Sequence, residues 1–129
     1  MPAAGCLRLG AELAALAPRV ALLVLGDATS RKVIGVRGAA DPAAEEYDAE
    51  VTAALAGADP GRLARLDATL DGDLMITGRA AWQVLAGAAG VRAAGAGAGE
   101  SAGLRGELRF AGAPLDVTYL VASWRSREN

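Results

Sequence analysis

The chain has 129 residues, of which 53% are hydrophobic but only 4% aromatic, and 13 Lys and Arg against 15 Asp and Glu leave a net charge of −2. That length predicts one domain, 1–129. With no basic block, and no aromatic residues interleaved with basic ones, the footprint of a nucleic-acid binder is missing. A lone cysteine, Cys6, and the lack of any histidine exclude an internal disulfide and a zinc site, so a reducing cytoplasm is the expected compartment. Arg8, Glu12 and Arg19 interrupt the apolar N-terminal region, and no clean run approaches the ~20 residues of a membrane span. The apolar content is mainly Ala, Leu and Val, a thin filling for a core, and it predicts that a partner covers part of the apolar surface.

Leu9, Leu13 and Leu16 recur at helical spacing within Leu7 to Ala17 and predict one inward face, with Pro18 ending the helix. Val20 to Leu25 is an unbroken apolar run, too short for an amphipathic helix, that stops at Gly26-Asp27. It reads as a central strand buried on both faces. Asp27, Thr29, Ser30, Arg31 and Lys32 follow its carboxyl end, where ligands sit in open α/β sheets, so a site is sought there first. Lys32 to Ala40 reads as a loop with a short extended piece at Val33-Ile34.

Asp41-Pro42 and Asp59-Pro60 both place an amide-accepting N-cap before a proline that needs no N–H, and each predicts a helix start. The first helix has Tyr47, Val51, Ala54 and Leu55 as its inward stripe, and the second has Leu63, Leu66 and Leu70. A third helix is expected from about Asp73 to Ala89, with Leu74, Ala81, Leu85 and Ala88 on one face, Trp82 beside them, and Gly72 and Gly78 weakening its first turns. Gly90 to Gly103 is almost only Ala and Gly and reads as a flexible surface loop. Leu104, Leu108 and Phe110 alternate with Arg105, Glu107 and Arg109, and Gly112-Ala113-Pro114 turns the chain into a second strand, Val117 to Trp124. The residues from Arg125 to Asn129 are expected to fray.

Several constellations invite chemistry. Gly95, Gly97 and Gly99 lack the preceding strand and following helix of a phosphate loop. Asp41, Glu45, Glu46 and Asp48 suit the positive end of a helix dipole better than a metal. Ser30 has no histidine as its base, and Lys32 at an exposed loop is a poor substitute. Arg31, Lys32 and Arg79 form an anion-holding trio if the helix bearing Arg79 faces the loop, and plain surface charge otherwise.

The strand followed by Gly26-Asp27-Ala28-Thr29-Ser30-Arg31, then Asp41-Pro42, Tyr47-Asp48, and the run from Gly78 through Arg79 and Trp82 to Gly87, resemble the C-terminal half of class III extradiol ring-cleavage dioxygenases, their subunit-B domain and the related Memo-like proteins. Leu108-Arg109-Phe110, Ala113-Pro114 and Tyr119 to Ala122 are similar to that family's terminal hairpin. The resemblance runs from about Leu7 onward and corresponds to half of a full-length member. It implies non-haem Fe(II) held by two histidines and a carboxylate, with a further histidine as acid and base. The family's Gly-Asp-x-Ser-His-Arg loop has its histidine position at Ser30 here and its serine at Thr29. The Gly-Arg-His-Pro run of Memo-like members appears as Gly78-Arg79-Ala80-Ala81. A hydroxyl at Ser30 does not exchange protons near neutral pH as imidazole does, and Ala80 binds nothing.

The expected architecture is therefore α/β: a small central mixed sheet containing Val20 to Leu25, flanking helices and a C-terminal β-hairpin, resembling half of the dioxygenase fold. Its parts are 7–89 (helix, strand, helices), 90–103 (Ala/Gly loop) and 104–124 (hairpin). The expected function is that of a dioxygenase-like structural or binding module without catalytic metal or cofactor. Its candidate pocket comprises Gly26, Asp27, Thr29, Ser30, Arg31 and Arg79. Association as a homo-oligomer or complex through an exposed apolar face is expected, with neither nucleic acid nor membrane as partner. The alternative is part of an Fe(II) ring-cleaving dioxygenase whose iron-binding half comes from another chain or from upstream sequence.

Overall fold

A computed structural model describes residues 1–30, 33–34, 39–91, 103–112, 114 and 118–126. Over these the chain is mixed α/β, in the order α1 (Ala3–Ala14), β1 (Val33–Ile34), β2 (Ala39–Ala40), α2 (Pro42–Gly57), α3 (Pro60–Ala64), α4 (Leu70–Asp73), α5 (Arg79–Ala88), β3 (Leu104–Gly112) and β4 (Tyr119–Ser126). β1 pairs antiparallel with β2, and β3 with β4. Of the loop expected at 90–103, residues 92–102 lie outside the described residues, Gly95, Gly97 and Gly99 among them; of the end expected to fray, 127–129 lie outside too, whereas Arg125 and Ser126 belong to β4, paired with Arg105 and Leu104.

Both Asp-Pro starts form as expected. Asp41 accepts from the Ala43 amide at 3.0 Å and Asp59 from the Arg62 amide at 3.0 Å, each satisfying an N–H that the first helical turn leaves over. Tyr47, Val51, Ala54, Leu63 and Leu66 then line one core with Leu74, Ile76, Trp82 and Ala86, and Leu55 and Leu70 pack against it half-buried.

The helix expected from Asp73 to Ala89 begins only at Arg79, as α5; Asp73 instead ends α4, which takes in Leu70 from the stripe expected of the second helix, and that second helix, α3, stops at Ala64 before Leu66. At the end of α4, Met75 turns left-handed (φ 52°), the Ile76 amide donates back to Asp71 at 2.9 Å and the Met75 amide to Gly72 at 3.4 Å. This is the Schellman stop, which occupies carbonyls a helix end leaves bare. α2 stops the same way at Ala58 (φ 48°) and α5 at Gly90 (φ 103°). The break turns α5, so that Trp82, Gln83, Ala86 and Gly87 face inward, while Leu85 is only half-buried.

α1 begins four residues before the expected start and ends at Ala14, short of Pro18, and its inward face is not the leucine stripe. Cys6, Leu7 and Gly10 are buried, whereas Leu9 and Leu16 are exposed. The cause is a glycine crossing: a Cβ on Gly10 would overlap the Val84 carbonyl, and one on Gly87 the Leu7 carbonyl. Bare backbone on both helices lets them touch, and close contact along that line outweighs burying Leu9.

β3 and β4 form the expected hairpin, from Leu104 opposite Ser126 to Gly112 opposite Tyr119. The register slips between Leu108 and Phe110, leaving Arg109 as the extra residue. Such a bulge carries the following side chain to the other face, and Phe110 is accordingly half exposed rather than aligned with Leu104 and Leu108. The hairpin docks on the end of α2, where Trp124 Nε1 donates to the Leu55 carbonyl at 2.7 Å and Gly106 lies so close that a Cβ would meet Ala56 O at 2.6 Å.

The largest correction concerns Val20 to Leu25. The segment is not in a sheet and is not buried: Leu23 is 87% and Leu25 75% exposed. It runs without helix, turn or bend, and none of the described residues offers it a neighbouring strand. Only Val24 packs against the core. An apolar run acquires strand character from the strands beside it, and here the described partners pair among themselves.

Candidate functional site

The residues singled out after Leu25 meet the start of α5. Gly26 lies against Gly78, where a Cβ would come within 2.5 Å of the Gly78 Cα, and the Gly78 amide donates to the Asp27 carbonyl at 2.8 Å. Two adjacent backbones without side chains thus lock 26–27 to the helix start. Asp27 remains exposed, and its carboxylate accepts from Thr77 Oγ1 at 3.3 Å.

Thr29, by contrast, is buried. Its amide donates to Asp48 Oδ1 at 3.2 Å and its hydroxyl to the Leu74 carbonyl at 2.8 Å. The other Asp48 oxygen accepts from Thr118 Oγ1 at 2.9 Å, so this one buried carboxylate ties the loop, α2 and the approach to β4 together. Exposed Ser30 makes a long 3.4 Å contact to the Met75 carbonyl. Arg31 and Lys32 lie outside the described residues, so the Ser30 and Lys32 pair and the anion-holding trio have only their Ser30 and Arg79 members placed.

Arg79 does not face the loop. Its Nε donates to both Asp71 oxygens, at 3.0 and 2.8 Å, one terminal nitrogen to Gln83 Oε1 at 2.6 Å and the other to the Met1 carbonyl at 3.3 Å. Gln83 is fully buried, and its amide nitrogen donates to the carbonyls of Ala64 and Leu66. The pair fastens α5 to α4, to the end of α3 and to the chain start. Tyr47 is buried with its hydroxyl unpartnered among the described residues. Burial, reinforced by the negative Asp71, pushes its phenol well above the ordinary value, against a smaller opposing pull from Arg79.

Sequence reasoning missed Asp71, Gln83 and Thr118, and set Asp48 in a solvated helix start rather than in the interior. For two of the four a signal existed. Asp48 shares the helical stripe of Ala44 and Val51, and Gln83 lies one turn from both Arg79 and Ala86, so polar residues fall on apolar faces. The expectation of a solvated acidic helix start is met by Glu45 and Glu46, which are exposed, and not by Asp48.

An iron centre of the kind the resemblance implies needs two imidazoles and a free carboxylate facing open coordination positions. Ser30 and Ala80 stand at the two histidine positions of the resemblance, and neither offers an imidazole. Asp48 already accepts at both oxygens, and Asp71 is bound by Arg79. This donor set does not fit that group, and no three Asp, Glu or Cys side chains among the described residues cluster as metal ligands. A shallow groove between α2 and the hairpin, lined by Glu45, Asp48, Thr52, Gly112, Thr118 and Leu120, is a separate concavity. No described helix is long and apolar enough to cross a membrane. The chain matches no known protein family, no curated protein and no solved structure.

Proposed function

We propose that the chain is a class III extradiol dioxygenase-like module that acts by structure or binding, in the cytoplasm, and holds no catalytic iron of its own. The observation that carries this reading is the junction of 26–30 with Gly78-Arg79-Ala80. The segments of the resemblance come together there through the Gly26 and Gly78 backbones, while the two histidine positions present a hydroxyl and a methyl group. Around them the buried polar atoms of Thr29, Asp48, Arg79 and Gln83 are bonded to one another, to backbone, or to the side chains of Asp71 and Thr118, the pattern of a scaffold rather than of a site awaiting a ligand.

The test is to equilibrate the purified chain with Fe(II) under anaerobic conditions, remove unbound metal, and measure retained iron and oxygen uptake on a catechol. Background values in both are expected. Stoichiometric iron with catechol-dependent uptake overturns the reading. The exposed run at Val20 to Leu25 favours a second reading, in which another polypeptide supplies neighbouring strands together with the iron ligands. In that case uptake appears only when the partner chain is added.

A further inference from the structure

From Val20 to Gly26 no backbone amide or carbonyl takes part in a hydrogen bond among the described residues, although every residue there carries both groups. Exposure alternates along the run. Leu22 is 38% exposed and Val24 half-buried against the core, whereas Leu23 and Leu25 are 87% and 75% exposed. The segment thus has the side-chain alternation of a strand, an inner face that rests on its own domain at Val24, an outer apolar face, and open edges. Open edges of this kind are templates for another strand.

We propose that Arg19 to Asp27 pairs with the same segment of a second copy, antiparallel, in a two-stranded ribbon centred on Leu23. Symmetry and charge select this register. In an antiparallel ladder neighbouring residue pairs alternate between two types, so a two-fold axis must pass through a residue that faces its own copy. Centring on Leu23 sets Arg19 of each copy opposite Asp27 of the other, at both ends of the ribbon. Centring on Leu22 or Val24 leaves both charges opposite uncharged residues. In an extended strand Arg19, Leu23 and Asp27 fall on one face, and Arg19 and Asp27 are both exposed. The ribbon then carries an apolar middle, Leu23 against Leu23 and Ala21 against Leu25, closed at each end by an opposite-charge pair. The inference stands on this segment alone and is independent of the dioxygenase-like reading.

The full chain is tested by sedimentation across a concentration series, with two sets of variants whose folding is checked by circular dichroism, all at exposed positions except the half-buried Val24. Leu23→Cys is expected to form a covalent dimer on mild oxidation, because facing residues bring their Cα atoms within disulfide reach. Leu22→Cys and Val24→Cys are each expected to remain uncoupled alone and to couple when mixed. R19D and D27R are each expected to weaken the dimer about tenfold, and the two mixed together to restore it, since one then carries two acids and the other two bases on that face. A monomer at every concentration overturns the proposal and leaves the segment to a different polypeptide. A dimer that couples through position 22 alone, or that ignores both charge reversals, overturns it in favour of another interface between copies.

Discussion

Asp48 lies on the buried face of α2 between Tyr47 and Val51, where a carboxylate is tolerated because the Thr29 amide and the Thr118 hydroxyl meet its two oxygens. Tyr47, one residue earlier, has no such partner for its hydroxyl among the described residues. The difference sets a prediction. Tyr47→Phe removes an unsatisfied polar atom with little change of shape, and urea unfolding at pH 7 should find the variant equal to the parent or up to about 1 kcal/mol more stable. The pH dependence has a definite sign. The folded phenol titrates above its unfolded value of about 10, so its contribution is whole below that pH and is lost as pH rises past it toward the folded value. Unfolding curves from pH 9 to 11 should therefore fall less steeply for Tyr47→Phe than for the parent.

Helices were legible where their cause is local. Asp41-Pro42 and Asp59-Pro60 carry their own caps within four residues, and both helices start there. The face of α1 was not legible, because it is decided by Gly10 and Gly87, which sit on different helices and matter only once those helices cross. The hairpin could be read from its alternation, but not the bulge at Arg109 that moves Phe110 outward. For the site, the contact of 26–27 with Gly78 joins two stretches already singled out, whereas the inward turn of Arg79 depends on the break at Met75, which no residue in that run announces. The crossing gives a test at this scale. Gly87→Ala adds one methyl into the Leu7 backbone and should cost about 3 kcal/mol in chemical denaturation. Gly57→Ala, at a helical position with nothing nearby, should cost nothing or add about 0.5 kcal/mol. Equal effects at the two positions would mean that α1 and α5 do not cross on glycine.

Across the whole molecule the described interior is shared unevenly. The hairpin packs on α2, α2 on α3 and α3 on α5, around Val51, Leu63 and Trp82, while α1 meets chiefly α5 and contributes one leucine, Leu7, to the common core. An element attached along a single line can detach without the rest unfolding. Opening of α1 is thus expected at a lower free energy than global unfolding.

Cys6 turns that arrangement into a clock. Its thiol is completely covered in the folded chain, and it is the sequence's single sulfhydryl. Alkylation by a maleimide in native buffer can proceed only while α1 is lifted, so the labelling rate counts those excursions directly. The rate should exceed that set by complete denaturation, rise further in Gly87→Ala, and stay unchanged in Gly57→Ala. Labelling no faster than global unfolding would show that α1 never leaves by itself.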